Sequence, residues 1–100
     1  MNWIHVLTTS KDQIGLSESW DINVALTQDG HYAWQTSGCD TDEQEAIDSG
    51  SASFIAEYLV DNAEGMEIEL INGLSHIAEK DPAFTPLLNA VRAQLKNRGL

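Results

Sequence analysis

Between Trp20 and Thr27 apolar and polar positions alternate: Trp20, Ile22, Val24 and Leu26 against Asp21, Asn23, Ala25 and Thr27. A period of two marks a strand with one buried face. Asp29-Gly30 then supplies a turn into a second strand containing Tyr32 and Trp34. The loop length decides the register. A two-residue loop would pair Leu26 with Ala33 and put Trp34 on the face opposite Val24. A three-residue loop, Gln28-Asp29-Gly30 with Gly30 left-handed, pairs Leu26 with Tyr32 and Val24 with Trp34. The second register gathers the large apolar side chains on one face, and it is the one the sequence predicts. Trp3–Thr8, rich in Ile, Val and Thr, reads as a further strand, since a lone hairpin is marginal. The link from Thr9 to Ser19 reads as loop, with a short turn at Ser10–Gln13.

After Gly38 the period becomes helical. Thr41 with Gln44 fits a capping box, and Asp42, Glu43 and Glu45 suit the positive end of a helix dipole. Ile47, Phe54, Ile55, Tyr58 and Leu59 continue the helical spacing to about Asn62, interrupted at Ser49-Gly50-Ser51, with Gly65 as the stop. From Met66 to Lys80 two patterns compete. Met66, Leu70, Leu74, Ile77 and Ala78 make a helical stripe, while Asn72-Gly73 is a hairpin-turn pair; the helix is preferred. The last helix is capped at Thr85, has Pro86 at its first position and Gly99 after its end, and buries Leu87, Leu88, Val91 and Leu95. Strands followed by helices give an α+β fold: an N-terminal antiparallel meander of about three strands packed against two or three C-terminal helices, as a single domain over residues 1–100.

The chain has 100 residues and is 42% apolar before its seven glycines are counted, ordinary for a globular domain. One cysteine, Cys39, excludes an internal disulfide. The sequence has neither a signal-peptide pattern at its start nor an apolar run of membrane length, so a cytoplasmic location and no membrane association are expected.

Charge changes the picture most. The net charge is −11, from 16 acids and five bases, which disfavours direct nucleic-acid binding. Asp40 to Glu69 holds ten acids and no base, whereas Thr85 to Leu100 holds three bases and no acid. Glu57, Asp61 and Glu64 follow at i, i+4 and i+7 on one helix face without a counter-ion, where each like-charge pair costs about 0.2–0.5 kcal/mol. Tolerated repulsion of that kind points to a basic protein or nucleoprotein partner, with Asp42, Glu45, Glu57, Asp61 and Glu64 as contacts. Three indoles are many for a small core, so Trp34 or Trp3 is expected at an interface, Trp34 as one of the partner contacts. The basic last helix could also pair with the acidic face of a second copy, which leaves a homodimer open. Two readings compete with docking: acidity as salt or solubility adaptation in an adaptor, and a small enzyme without a recognisable motif.

No cofactor, metal or catalytic residue is expected. An EF-hand loop starting at Asp40 would need Gly and Glu where Glu45 and Ser51 stand. His5, His31 and His76 lack zinc-motif spacing. Cys39 is followed by Asp40 and Asp42, whose charges would raise its pKa, and Gly-x-Ser-x-Gly is absent. In size, acidity and lack of a catalytic motif the chain is similar to the small inhibitors that phages and plasmids direct against restriction and CRISPR systems. The likeness is one of class, and it implies action by nucleic-acid mimicry or steric blockade.

Overall fold

The computed structural model describes residues 2–13, 16–37 and 47–99. Four antiparallel strands, β1 (Ile4–Gln13), β2 (Leu16–Leu26), β3 (Tyr32–Ser37) and β4 (Asp48–Gly50), form a sheet in sequential order. Three helices follow, α1 (Ala52–Asn62), α2 (Glu67–Lys80) and α3 (Thr85–Asn97), with a 3-10 turn at Pro82–Phe84 leading into α3.

The β2–β3 hairpin has the expected register. Leu26 pairs with Tyr32 and Val24 with Trp34, and Gly30 closes the turn at φ 82°. Thr27 pins the loop: its amide donates to the His31 carbonyl at 3.0 Å, and its hydroxyl accepts from the His31 amide at 2.9 Å. The segment expected as loop after Thr8 is instead a long hairpin, because β1 runs on to Gln13 and pairs with the start of β2. A fourth strand also replaces part of the expected first helix. Asp48–Gly50 pairs with Tyr32–Trp34, so the Ser49-Gly50-Ser51 break is the exit from a sheet. Helix α1 starts behind it, where the Ser51 hydroxyl accepts from the Phe54 amide at 3.2 Å. The capping box at Thr41 and Gln44 lies outside the described residues.

Residues 66–80 are helical rather than a hairpin, and Gly73 has a packing role. Between His5 and Leu7 the β1–β2 register shifts, leaving Val6 as a bulge. The bulge aims the Val6 carbonyl at the middle of α2. A Cβ on Gly73 would fall well inside contact with that oxygen, 3.0 Å from Val6 Cγ1 and 3.1 Å from the Val6 carbonyl carbon. Glycine here costs about 1 kcal/mol of helix propensity and lets helix and strand touch backbone to backbone.

α1 lies over β3 and β4, α2 lies over β1, and α3 packs against both helices. The core between the layers joins Ile22, Val24, Tyr32 and Trp34 to Ile55, Leu59, Leu70, Leu74, Leu87 and Val91. Tyr32 also ties β3 to the turn before α3, its hydroxyl donating to the Ala83 carbonyl at 2.6 Å. The expected Thr85 side-chain cap is not formed. Asp81 takes that role one turn earlier, its carboxylate accepting from the Ala83 amide at 3.1 Å. The sheet face turned away from the helices is less open than the alternation implied. Asn23, Ala25, Ala33 and Gln35 are all buried there, with Asn23 Nδ2 donating to Gln35 Oε1 at 3.1 Å across the strands. Among the described residues, no helix is long and apolar enough to cross a membrane.

Candidate protein-docking surface

Helix α1 turns Ile55, Ala56, Leu59 and Val60 into the core. Glu57 and Asp61 are thereby left exposed on the outer side, and Glu64 is exposed in the turn that follows. That turn closes at Gly65, φ 87°, and brings Glu67 at the start of α2 beside Asp61 and Glu64. With Val60 and Arg98 these three carboxylates line an open groove of about 450 Å³.

The groove is not purely acidic. Arg98, just past the end of α3, donates from Nη1 to Asp61 Oδ1 at 2.6 Å. The pair is solvent-exposed and contributes about 0.2–1 kcal/mol. Its larger effect is on charge, since it neutralises one of the three carboxylates of the expected stripe. Glu67 is held differently. Its carboxylate accepts from its own amide and from the Gly65 amide at 3.1 Å, which keeps its pKa below the usual carboxylate range. It thereby ties the Gly65 turn to the start of α2, which has no side-chain cap at Met66. Among the described residues, Glu57 and Glu64 have no such partner. Asp42 and Glu45 lie outside the described residues.

Trp34 must be corrected. It is 4% exposed and cannot be a surface contact. The register that pairs it with Val24 puts it on the helix-facing side of the sheet, beneath α1. Its ring stacks on Tyr58 at 5.7 Å and 18°, and its buried indole Nε1 has no hydrogen-bond partner among the described residues. Trp3 is only partly exposed. The aromatic that reaches the surface is Phe54, 42% exposed and set edge-on to Tyr58 at 5.2 Å and 79°. Ile68 and Ile47 are exposed as well. The sequence held a signal for Phe54. Ile55, Leu59 and the alanines already fill a core stripe one residue out of phase with it, so Phe54 had to fall to one side.

The histidines sit apart. His31 lies 3.3 Å from Asp29 at the hairpin turn, and His76 is exposed on α2. The Thr27 hydroxyl is the main cause holding the Asp29 carboxyl below its usual range. His5 Nε2 is 3.0 Å from Thr8 Oγ1 and 3.3 Å from Asp21 Oδ1, and Thr8 donates to Asp21 at 2.6 Å. This trio is no nucleophilic triad. The Thr8 proton is committed to the carboxylate, so the imidazole does not activate the hydroxyl. Among the described residues, no three His, Cys, Asp or Glu side chains converge as a metal site.

What the outer side of α1 offers is a fixed aromatic edge beside carboxylates, in the field of a chain with net charge −11. No protein-family model matches this chain, and neither a curated protein nor a solved structure shows significant similarity to it.

Proposed function

We propose that this protein is a binding module whose acidic surface, built on α1 and the turn into α2, docks on a basic partner that itself handles nucleic acid. The observation that carries the reading is the exposure of Glu57 on α1 and of Glu64 in the turn that follows, in a segment with no base between Asp40 and Glu69. Glu57 and Asp61, one turn apart on α1, lie about 5.4 Å from each other along the axis, and Glu64 extends the acidic row into the turn. Such a row competes for a cationic groove, and a net charge of −11 steers the approach. The mode of action is steric and electrostatic blockade, as in a nucleic-acid mimic of the antirestriction or anti-CRISPR kind.

The test is retention of basic nucleic-acid-binding proteins from a host lysate on the immobilised protein, compared with a Glu57→Lys, Asp61→Lys, Glu64→Lys variant. Retention should vanish in the variant, and bound protein should elute with added nucleic acid or above a few hundred millimolar salt, where screening is nearly complete. Equal retention by the folded variant would refute the acidic-surface reading. Its rival, acidity as salt adaptation, predicts instead a fold that loosens at low ionic strength.

A further inference from the structure

We infer that the outer stripe of α1 selects arginine over lysine in its partner, with Phe54 as the ring on which a guanidinium lies and Glu57 as its carboxylate. This rests on the docking reading above and specifies the chemistry of the partner.

Phe54 is held in place although it is 42% exposed. Its ring meets Tyr58 edge-on, and Tyr58 in turn stacks on the buried Trp34, so three rings run as a ladder from core to surface. On the other side the backbone of Gly50 lies against the ring: a Cβ there would come 2.7 Å from Phe54 Cδ2. Only a residue without a side chain lets the ring settle there. The result is an ordered aromatic surface, not a loose side chain.

Glu57 follows Phe54 at i+3, which places the carboxylate beside the ring on the same helix stripe. That pairing discriminates between cations. A guanidinium is planar and weakly hydrated, stacks on an aromatic face and engages a carboxylate through two N–H groups. An ammonium is a compact, strongly hydrated charge that gains mainly Coulomb attraction. The stripe already accepts one guanidinium, since Arg98 of the same chain sits on Asp61 one turn further along, at 2.6 Å. Charge complementarity therefore names a cationic occupant, and the ring narrows it to arginine.

The probes are nona-arginine and nona-lysine peptides of equal charge, titrated into the full chain at one ionic strength. Wild type should bind nona-arginine more tightly. Phe54→Leu, which keeps an apolar side chain against Gly50 but removes the π face, should weaken nona-arginine about two- to five-fold and leave nona-lysine unchanged. Phe54→Trp should retain the preference, and this keeps the test decisive where Phe54→Leu folds poorly. Equal affinities in wild type, or a preference that survives Phe54→Leu, overturn the arginine inference alone. Failure of both peptides to bind, or undiminished binding to a Glu57→Lys, Glu64→Lys variant, overturns the docking reading and the inference with it.

Discussion

Gly73 sits in the middle of α2, where a glycine is normally a weakness. Replacing glycine by alanine in a helix interior ordinarily stabilises by about 1 kcal/mol, from propensity and from the reduced entropy of the unfolded chain. Here the opposite sign follows from the contact with Val6. The new Cβ would overlap the Val6 carbonyl oxygen and lie 3.0 Å from Val6 Cγ1. The obstacle is backbone in a bulge, held on both sides by the His5–Asn23 and Leu7–Ile22 pairs, so it has no rotamer by which to give way. Either α2 lifts off β1, loosening Leu70, Leu74 and Ile77, or the bulge rearranges. Overpacking of this kind costs about 1–3 kcal/mol, and a clash with backbone belongs at the upper end. After the propensity gain is subtracted, Gly73→Ala should destabilise by about 2 kcal/mol. For a domain of this size that lowers Tm by roughly 10 °C. Urea unfolding followed by far-ultraviolet circular dichroism measures it, with the exposed neighbour Asn72→Ala as the control that carries propensity alone and gains a few tenths of a kcal/mol. A Gly73→Ala protein more stable than wild type would refute the close approach of α2 to β1.

The remaining expectations concern ionisation and the internal ion pair. Burial, with the charge of Asp81 adding to it, raises the Tyr32 pKa above its usual 10.0. The neutral hydroxyl is therefore favoured in the fold: its stabilisation is complete below the unfolded value and is lost as pH rises through the folded one. Tyr32→Phe should cost about 1 kcal/mol at neutral pH, by orphaning the Ala83 carbonyl, and should flatten the alkaline fall in stability. Arg98→Ala should change stability by less than about 1 kcal/mol. It should also tighten binding of a nona-arginine peptide, because Asp61 is then free to take part. Unchanged affinity would show that Asp61 lies outside the docking surface.

What the sequence made legible follows from how local each cause is. The β2–β3 register could be read because Asp29-Gly30 and the alternation on both strands point to the same pairing. α3 could be read from its period and its Pro and Gly punctuation. β4 could not, since Asp48-Ser49-Gly50 has no apolar alternation and forms a strand only because Tyr32–Trp34 offers a free edge. The β1–β2 hairpin was hidden by its polar composition between Thr9 and Ser19. The role of Gly73 depends on a bulge at Val6, far away in the chain, and the Asp61–Arg98 pair depends on α3 lying beside α1. Both are tertiary facts. Trp34 was misplaced for another reason. Counting indoles suggested an exposed one, while the register already put Trp34 on the buried face. Of the expected contacts, Glu57 and Glu64 remain open acids, Asp61 is shared with Arg98, and the aromatic element is Phe54 in place of Trp34.

The ladder of rings beneath that surface also makes an optical readout. An indole shut away from water with an unbonded N–H emits toward the blue, and Trp34 is coupled to the surface through Tyr58 and Phe54. Replacing Trp3 and Trp20 by phenylalanine would leave a single indole, excited apart from the two tyrosines at the red edge of the absorption band. A tilt of the Phe54 ring should then reach that indole through Tyr58 and shift its emission, so occupancy of the stripe could be followed without a label.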